Sequence, residues 1–260
     1  MTPRQIDRPQ LKAQTRELLR SAQVRPKAMA ALYLGLIAVL NLADTLAGSV
    51  SLSLLGTFVT VLTMLLGTVL NVGFVLYCMA IRRGERAEFL TLFDGFSFVG
   101  KIIGLSILQS VFIFLWSLLF VIPGIIAAYR YRFAMYNLCE NPDLSIVEAL
   151  DMSKRQTEGY KGQLFVLDLS YLGWGILASL PSTVEFFYLY LQILEDPAVF
   201  MADPTRLVPL IGSGLLMSLI IWLWSLAVQL FYLPNYQCVE LGYFDIAKET
   251  SGVGAGARPQ

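Results

Sequence analysis

Three charged side chains stand inside apolar runs of this 260-residue chain: Arg130 and Arg132 within residues 125–139, and Asp168 within residues 163–180. An ionised group in hydrocarbon is costly, so such residues are candidates for binding sites by default. Asp168 lies five residues into its run, ~8 Å deep at the helical rise per residue. Arg132 lies seven residues before Cys139, ~10 Å deep by the same rise. Matching depths on consecutive antiparallel helices predict an Arg132–Asp168 ion pair. Arg130 sits ~200° round the helix from Arg132, so it needs a different partner or a water-filled cavity. Two chemistries fit: a polar cavity open to the cytoplasm that takes a substrate or lipid headgroup, or an ion pair that locks two helices.

Other chemistries lack their residues. The chain has no histidine, which removes the commonest general base and metal ligand. Cys78, Cys139 and Cys238 are far apart and match no zinc or redox spacing; they read as small buried hydrophobes. Ser170 has neither a histidine nor a nearby lysine to activate it. No catalytic residue, metal or cofactor is therefore expected, and the chain is not expected to be an enzyme. Glu185 reads as a polar site on the outer side or as an interfacial residue. Gly100 and Gly104 form a small-xxx-small pair that suits helix packing or a dimer.

The elements that must position these groups follow from composition. Hydrophobic residues make up 56% of the chain and charged residues 15%, with a mean hydropathy of +0.64; soluble domains carry ~25% charged residues. The patterning predicts an all-α, multi-pass transmembrane helix bundle of about six spans with interfacial amphipathic helices. Residues 1–27 hold Arg4, Arg8, Lys12, Arg16, Arg20, Arg25 and Lys27. Leu11, Thr15, Leu18, Leu19 and Ala22 recur there at helical spacing. This reads as a basic amphipathic helix on an anionic membrane surface, or as one docked on the protein's own loops. Residues 28–245 form the bundle, and residues 246–260 a disordered cytoplasmic tail.

Within the bundle, spans are expected over residues 28–42, 50–81, 102–120, 125–139, 163–180 and 207–233. The second is either tilted or an interfacial entry followed by a span from about Thr60. Residues 82–101, with Phe89, Leu92, Phe93 and Phe96 on one face, suggest an interfacial helix. Residues 182–206 either extend a helix past Pro181 or lie on the outer surface. Ser145 and Glu148 form a capping box, and Gly159 closes that short helix. Of the basic residues, only Arg206 falls in a proposed outer loop and only Arg130 and Arg132 inside a span. The positive-inside rule then puts both termini in the cytoplasm. The basic residues flank membrane spans, so nucleic acid is not an expected partner. The lipid bilayer is, with anionic headgroups at its inner face, and a membrane protein or a second copy of the chain can pack on the bundle.

One stretch carries a resemblance. Pro123-Gly124-Ile125, Tyr129 and Tyr131, Asn141-Pro142-Asp143, Glu148-Ala149-Leu150, Lys161, Phe165, Leu169-Ser170 and Gly173-Trp174 resemble the bacterial membrane family DUF975. The upstream Leu92-Phe93-Asp94-Gly95-Phe96 and the basic N-terminal helix fit as well. The resemblance implies a multi-pass integral protein of the bacterial cytoplasmic membrane, without an established activity. Tyr129 and Tyr131, flanking Arg130, join Arg130, Arg132 and Asp168 as polar intramembrane binding candidates. Two functions compete on these grounds: a membrane-organising or partner-binding protein, and a component of transport or export of a small amphiphile, lipid or peptide.

Overall fold

The structure, a computed structural model, describes residues 4–49, 53–195 and 215–254. It is all-α over the described residues. The helices are α1 Arg8–Ser21, α2 Pro26–Ser49, α3 Ser53–Arg83, α4 Val99–Leu119, α5 Val121–Arg130, α6 Ala134–Glu140, α7 Ile146–Gln156, α8 Lys161–Leu169, α9 Leu172–Glu195 and α10 Leu215–Ser251, with a 3-10 segment at Phe89–Phe98. The chain divides into two compact units, Met1–Asp168 with Pro234–Gln260, and Leu169–Leu233.

Length and apolarity decide which helices can cross a bilayer. Among the described residues three qualify: Pro26–Thr45, Leu54–Arg83 and the combined Phe89–Leu119. A fourth follows if α8 and α9, parted at Ser170–Tyr171, make one broken span. Six spans are therefore not what the described helices show. The run 125–139 fails because it is two short helices rather than one, and residues 207–214 lie outside the described residues. The helices that qualify are compatible with a membrane location.

The first unit changes character along its axis. Leu54, Phe58 and Met64 of α3, Phe114 and Leu118 of α4, and Val121 and Ile122 of α5 are all exposed. Apolar exposure on that scale suits lipid rather than water. The opposite end is packed: Phe74, Tyr77, Phe133, Leu138, Tyr160, Tyr243 and Phe244 are fully buried. Ion pairs ring that end, with Arg82–Asp245 and Arg83–Glu140 each at 2.8 Å and Lys248–Glu140 at 2.9 Å.

Several expectations change. The basic helix α1, capped by Asp7, buries Leu11 and Thr15. The backbone N–H of Ile6 donates to Gln163 and that of Arg4 to the Tyr160 hydroxyl. The face proposed to lie on lipid is thus used against the protein, and only the exposed Arg16 and Arg20 side remains for headgroups. The tail expected to be disordered from Ile246 is helical to Ser251. Gln156 holds it by donating to the Val253 carbonyl. Helix α9 runs through Pro181 to Glu195, so 182–195 extends a helix; residues 196–206 and the Glu185 side chain lie outside the described residues. Helix α3 is continuous from Ser53, ~46 Å long at the standard rise, which supports the single long helix over an entry piece. Ser145 caps α7 by accepting from Glu148 N–H, one half of the expected capping box, and Gly159 turns the chain with φ at 81°.

The 3-10 segment lies against α3, where two glycines set the approach. A Cβ on Gly73 would stand 1.8 Å from the Leu92 carbonyl oxygen, and one on Gly95 2.9 Å from that of Val69. Gly104 faces Ile146, but nothing lies near Gly100, so that pair is not one packing seam. Gly73→Ala should lower the thermal midpoint of the purified protein by the equivalent of about 1–3 kcal/mol, because backbone must move. Gly35→Ala, in open space on α2, should be neutral or stabilising by up to about 1 kcal/mol. Equal effects at both positions would contradict the close approach.

Candidate functional site

The expected span over 125–139 is broken at Tyr131–Phe133, between α5 and α6. A break frees backbone groups that must be satisfied. Ser153 of α7 does this from both sides: its hydroxyl donates to the Arg130 carbonyl at 2.9 Å and accepts from the Phe133 N–H at 3.1 Å. Thr157 adds a second hydroxyl to the Arg130 carbonyl. The break places Arg132 between two helices rather than on the stripe of one.

Arg132 uses that freedom to meet two distant chain segments. Its Nη1 and Nη2 donate to Asp168 Oδ2 and Oδ1 at 2.6 and 3.0 Å, a bidentate pair. Its Nε donates to Glu240 Oε1 at 2.6 Å, and Nη2 also meets the Tyr236 hydroxyl. Tyr129 and Tyr236 donate their hydroxyls to the same Asp168 carboxylate at 2.7 and 2.8 Å. The guanidinium lies 5.3 Å over the Tyr129 ring, and that ring meets Phe165 edge-on. Bidentate, charge-assisted geometry of this kind is the strong form of the interaction. One guanidinium faces two carboxylates, so the cluster carries one surplus negative charge.

Of the sequence candidates, Arg132, Asp168 and Tyr129 come together. Arg130 and Tyr131 do not. Arg130 lies 6.0 Å over the Tyr131 ring and forms no ion pair among the described residues. Tyr131 is buried in an apolar cluster with Leu105, Ala127, Ala134, Leu138 and Leu150, stacked on Phe112. Sequence reasoning missed Glu240 and Tyr236. Their signal was present: a carboxylate and a tyrosine four apart, on one face of a run whose other residues include Cys238, Val239 and Leu241.

A cavity of about 390 Å³ opens beside the cluster. Arg132, Tyr136, Gln237 and Glu240 line one side, and Thr68, Asn71, Ser106 and Gln109 line the other. Asp168 is not in its wall; it holds Arg132 from behind. No group of three or more His, Cys, Asp or Glu is placed to hold a metal among the described residues.

Residues 118–233 match the family model described as a protein of unknown function, DUF975. The match covers Tyr129, Arg132 and Asp168. It excludes Tyr236 and Glu240, the upstream Leu92–Phe96 motif and the N-terminal helix. No curated protein and no solved structure matches the chain.

Charge balance orders the mutants. Arg132→Gln strands two neighbouring carboxylates and should cost about 3–5 kcal/mol, as breaking a buried pair does. Asp168→Asn leaves one cation with one anion and should cost less, and adding it to Arg132→Gln should recover part of the loss. Thermal unfolding in detergent measures all three; strict additivity would mean the groups are not coupled. Ser153→Ala should cost about 1–3 kcal/mol, since it orphans the Phe133 N–H and leaves the Arg130 carbonyl to Thr157 alone.

Proposed function

We propose that this chain, which carries the DUF975 region, is a non-enzymatic integral membrane protein whose working part is a polar cleft for the head of a small amphiphile or lipid. The observation that carries this reading is the source of the cleft's polar lining. Thr68, Asn71, Ser106 and Gln109 are supplied by helices otherwise apolar enough to cross a bilayer. Polar side chains in such helices are costly unless they face partners or a site. A purely organising bundle accounts for the close approaches at Gly73 and Gly124, but not for polar residues converging on an open cavity. Transport or export of the same amphiphile is an extension of this reading.

The protein belongs in the bacterial cytoplasmic membrane on this reading, with both termini in the cytoplasm. The uneven distribution of basic residues supports that orientation. The exposed basic side of α1 suits anionic headgroups, and the apolar belt on α3, α4 and α5 suits acyl chains, a second copy or another membrane protein.

Two measurements test this. The three native cysteines are buried, so introduced ones report cleanly. A membrane-impermeant thiol reagent added outside the cells should label Thr45→Cys, at the far end of the first span, and miss Arg86→Cys; the reverse would overturn the orientation. Native mass spectrometry from mild detergent should retain one amphiphile per chain. Gln109→Trp, which fills the cleft, should abolish its retention; a bound species unaffected by that change would contradict the cleft reading.

A further inference from the structure

The hydrogen-bonding state of the cleft wall selects among heads. We infer that the cleft takes a cationic ammonium head and rejects an anionic one; this rests on the cleft reading above. The charged donor and the hydroxyl protons of the wall are largely committed. Arg132 has given Nε to Glu240, both terminal nitrogens to Asp168, and one of them again to Tyr236. The Thr68 hydroxyl donates to the Met64 carbonyl, and the Ser106 hydroxyl to that of Ile102. Gln237 donates to the Tyr136 hydroxyl, and the Asn71 amide nitrogen to the Tyr33 hydroxyl. The donors left over are one Nη1 N–H of Arg132, the second amide N–H of Asn71 and of Gln237, and the amide of Gln109, which makes no hydrogen bond among the described residues.

Beside these few N–H groups the wall offers a set of acceptors. Each hydroxyl keeps its lone pairs once its proton is committed. The Asn71 carbonyl oxygen accepts from nothing among the described residues. Glu240 is only 4% exposed; it accepts from Arg132 at Oε1 and is also hydrogen-bonded to the Tyr136 side chain, which leaves part of its carboxylate capacity. The surplus negative charge of the cluster decides among heads: a phosphate or carboxylate would meet only an arginine already faced by two carboxylates, and would be repelled. An ammonium carries three donors and no acceptor, which complements this wall in charge and hydrogen bonding. Val72, Val75, Ile113 and Met135 in the same lining provide apolar contact for the carbon chain beside the head.

The test uses the full chain purified in dodecyl maltoside, with thermal unfolding followed as dodecylamine, dodecyl phosphate, dodecanol or propylamine is titrated. Dodecylamine should raise the midpoint saturably, and dodecyl phosphate and dodecanol should not. A higher affinity for dodecylamine than for propylamine assigns the head to a lipid, and equal affinities assign it to a soluble amine; both carry the inference. Glu240→Gln should weaken dodecylamine about tenfold or more, the loss expected for a hydrogen bond to a charged group. Asn71→Leu lies outside the ion cluster and tests the wall even if the glutamate variant fails to fold. It should weaken binding about threefold. Stabilisation by dodecyl phosphate or dodecanol without dodecylamine, lost in Gln109→Trp, would overturn the ammonium assignment while leaving the cleft. No response to any of the four probes would overturn both.

Discussion

An arginine among apolar helices is costly to leave without partners, and the first unit is arranged around meeting that demand at Arg132. The cost of an uncompensated ion in low dielectric is several kcal/mol, which exceeds the net stability gained from most single contacts. Arg132 therefore draws in Asp168 from α8 and Glu240 from α10, with Tyr129 and Tyr236 completing the Asp168 carboxylate. Segments separated by 36 and 108 residues are fixed by one side chain. The helix break at Tyr131–Phe133 is the local concession that makes this geometry reachable, and Ser153 repairs its backbone.

The rest of the unit divides the work by level. Toward the apolar end, helices present Leu, Phe, Ile and Val outward. Toward the packed end, ion pairs and the mutual amide pair of Asn137 and Gln156, at 2.8 Å in each direction, close the structure. The cleft lies between these regimes, where α3 also receives the 3-10 segment at Gly73 and Val69. That position suits an amphiphile, whose own polarity changes over the same distance.

Much of this was legible in the sequence, and the failures have physical causes. The all-α class, the α7 cap at Ser145, the turn at Gly159 and the Arg132–Asp168 pair follow from periodicity, capping chemistry and matched depth. Glu240 was not found because the last span was set to end at residue 233, whereas α10 passes through Pro234 unbroken. Proline costs a helix less where neighbouring segments hold the chain in place. The tail from Ile246 looked disordered because its glycines begin at Gly252, yet packing of Phe244 and Ala247 carries the helix to Ser251. The orientation of α1 was open because its stripe of Leu11 and Thr15 suits lipid or protein equally; only the tertiary contacts decide.

The central claim is that a single guanidinium holds both carboxylates at once. Solid-state NMR on the protein in bilayers, with arginine labelled in 15N and aspartate and glutamate in 13C, reads this through dipolar recoupling between guanidinium nitrogens and carboxyl carbons. The contributions of the Arg82 and Arg83 pairs are removed by subtracting the Arg132→Lys spectrum. The difference should contain contacts to one aspartate and one glutamate carboxyl carbon, each at hydrogen-bonding range. A difference spectrum with the aspartate alone, or with neither, would contradict it.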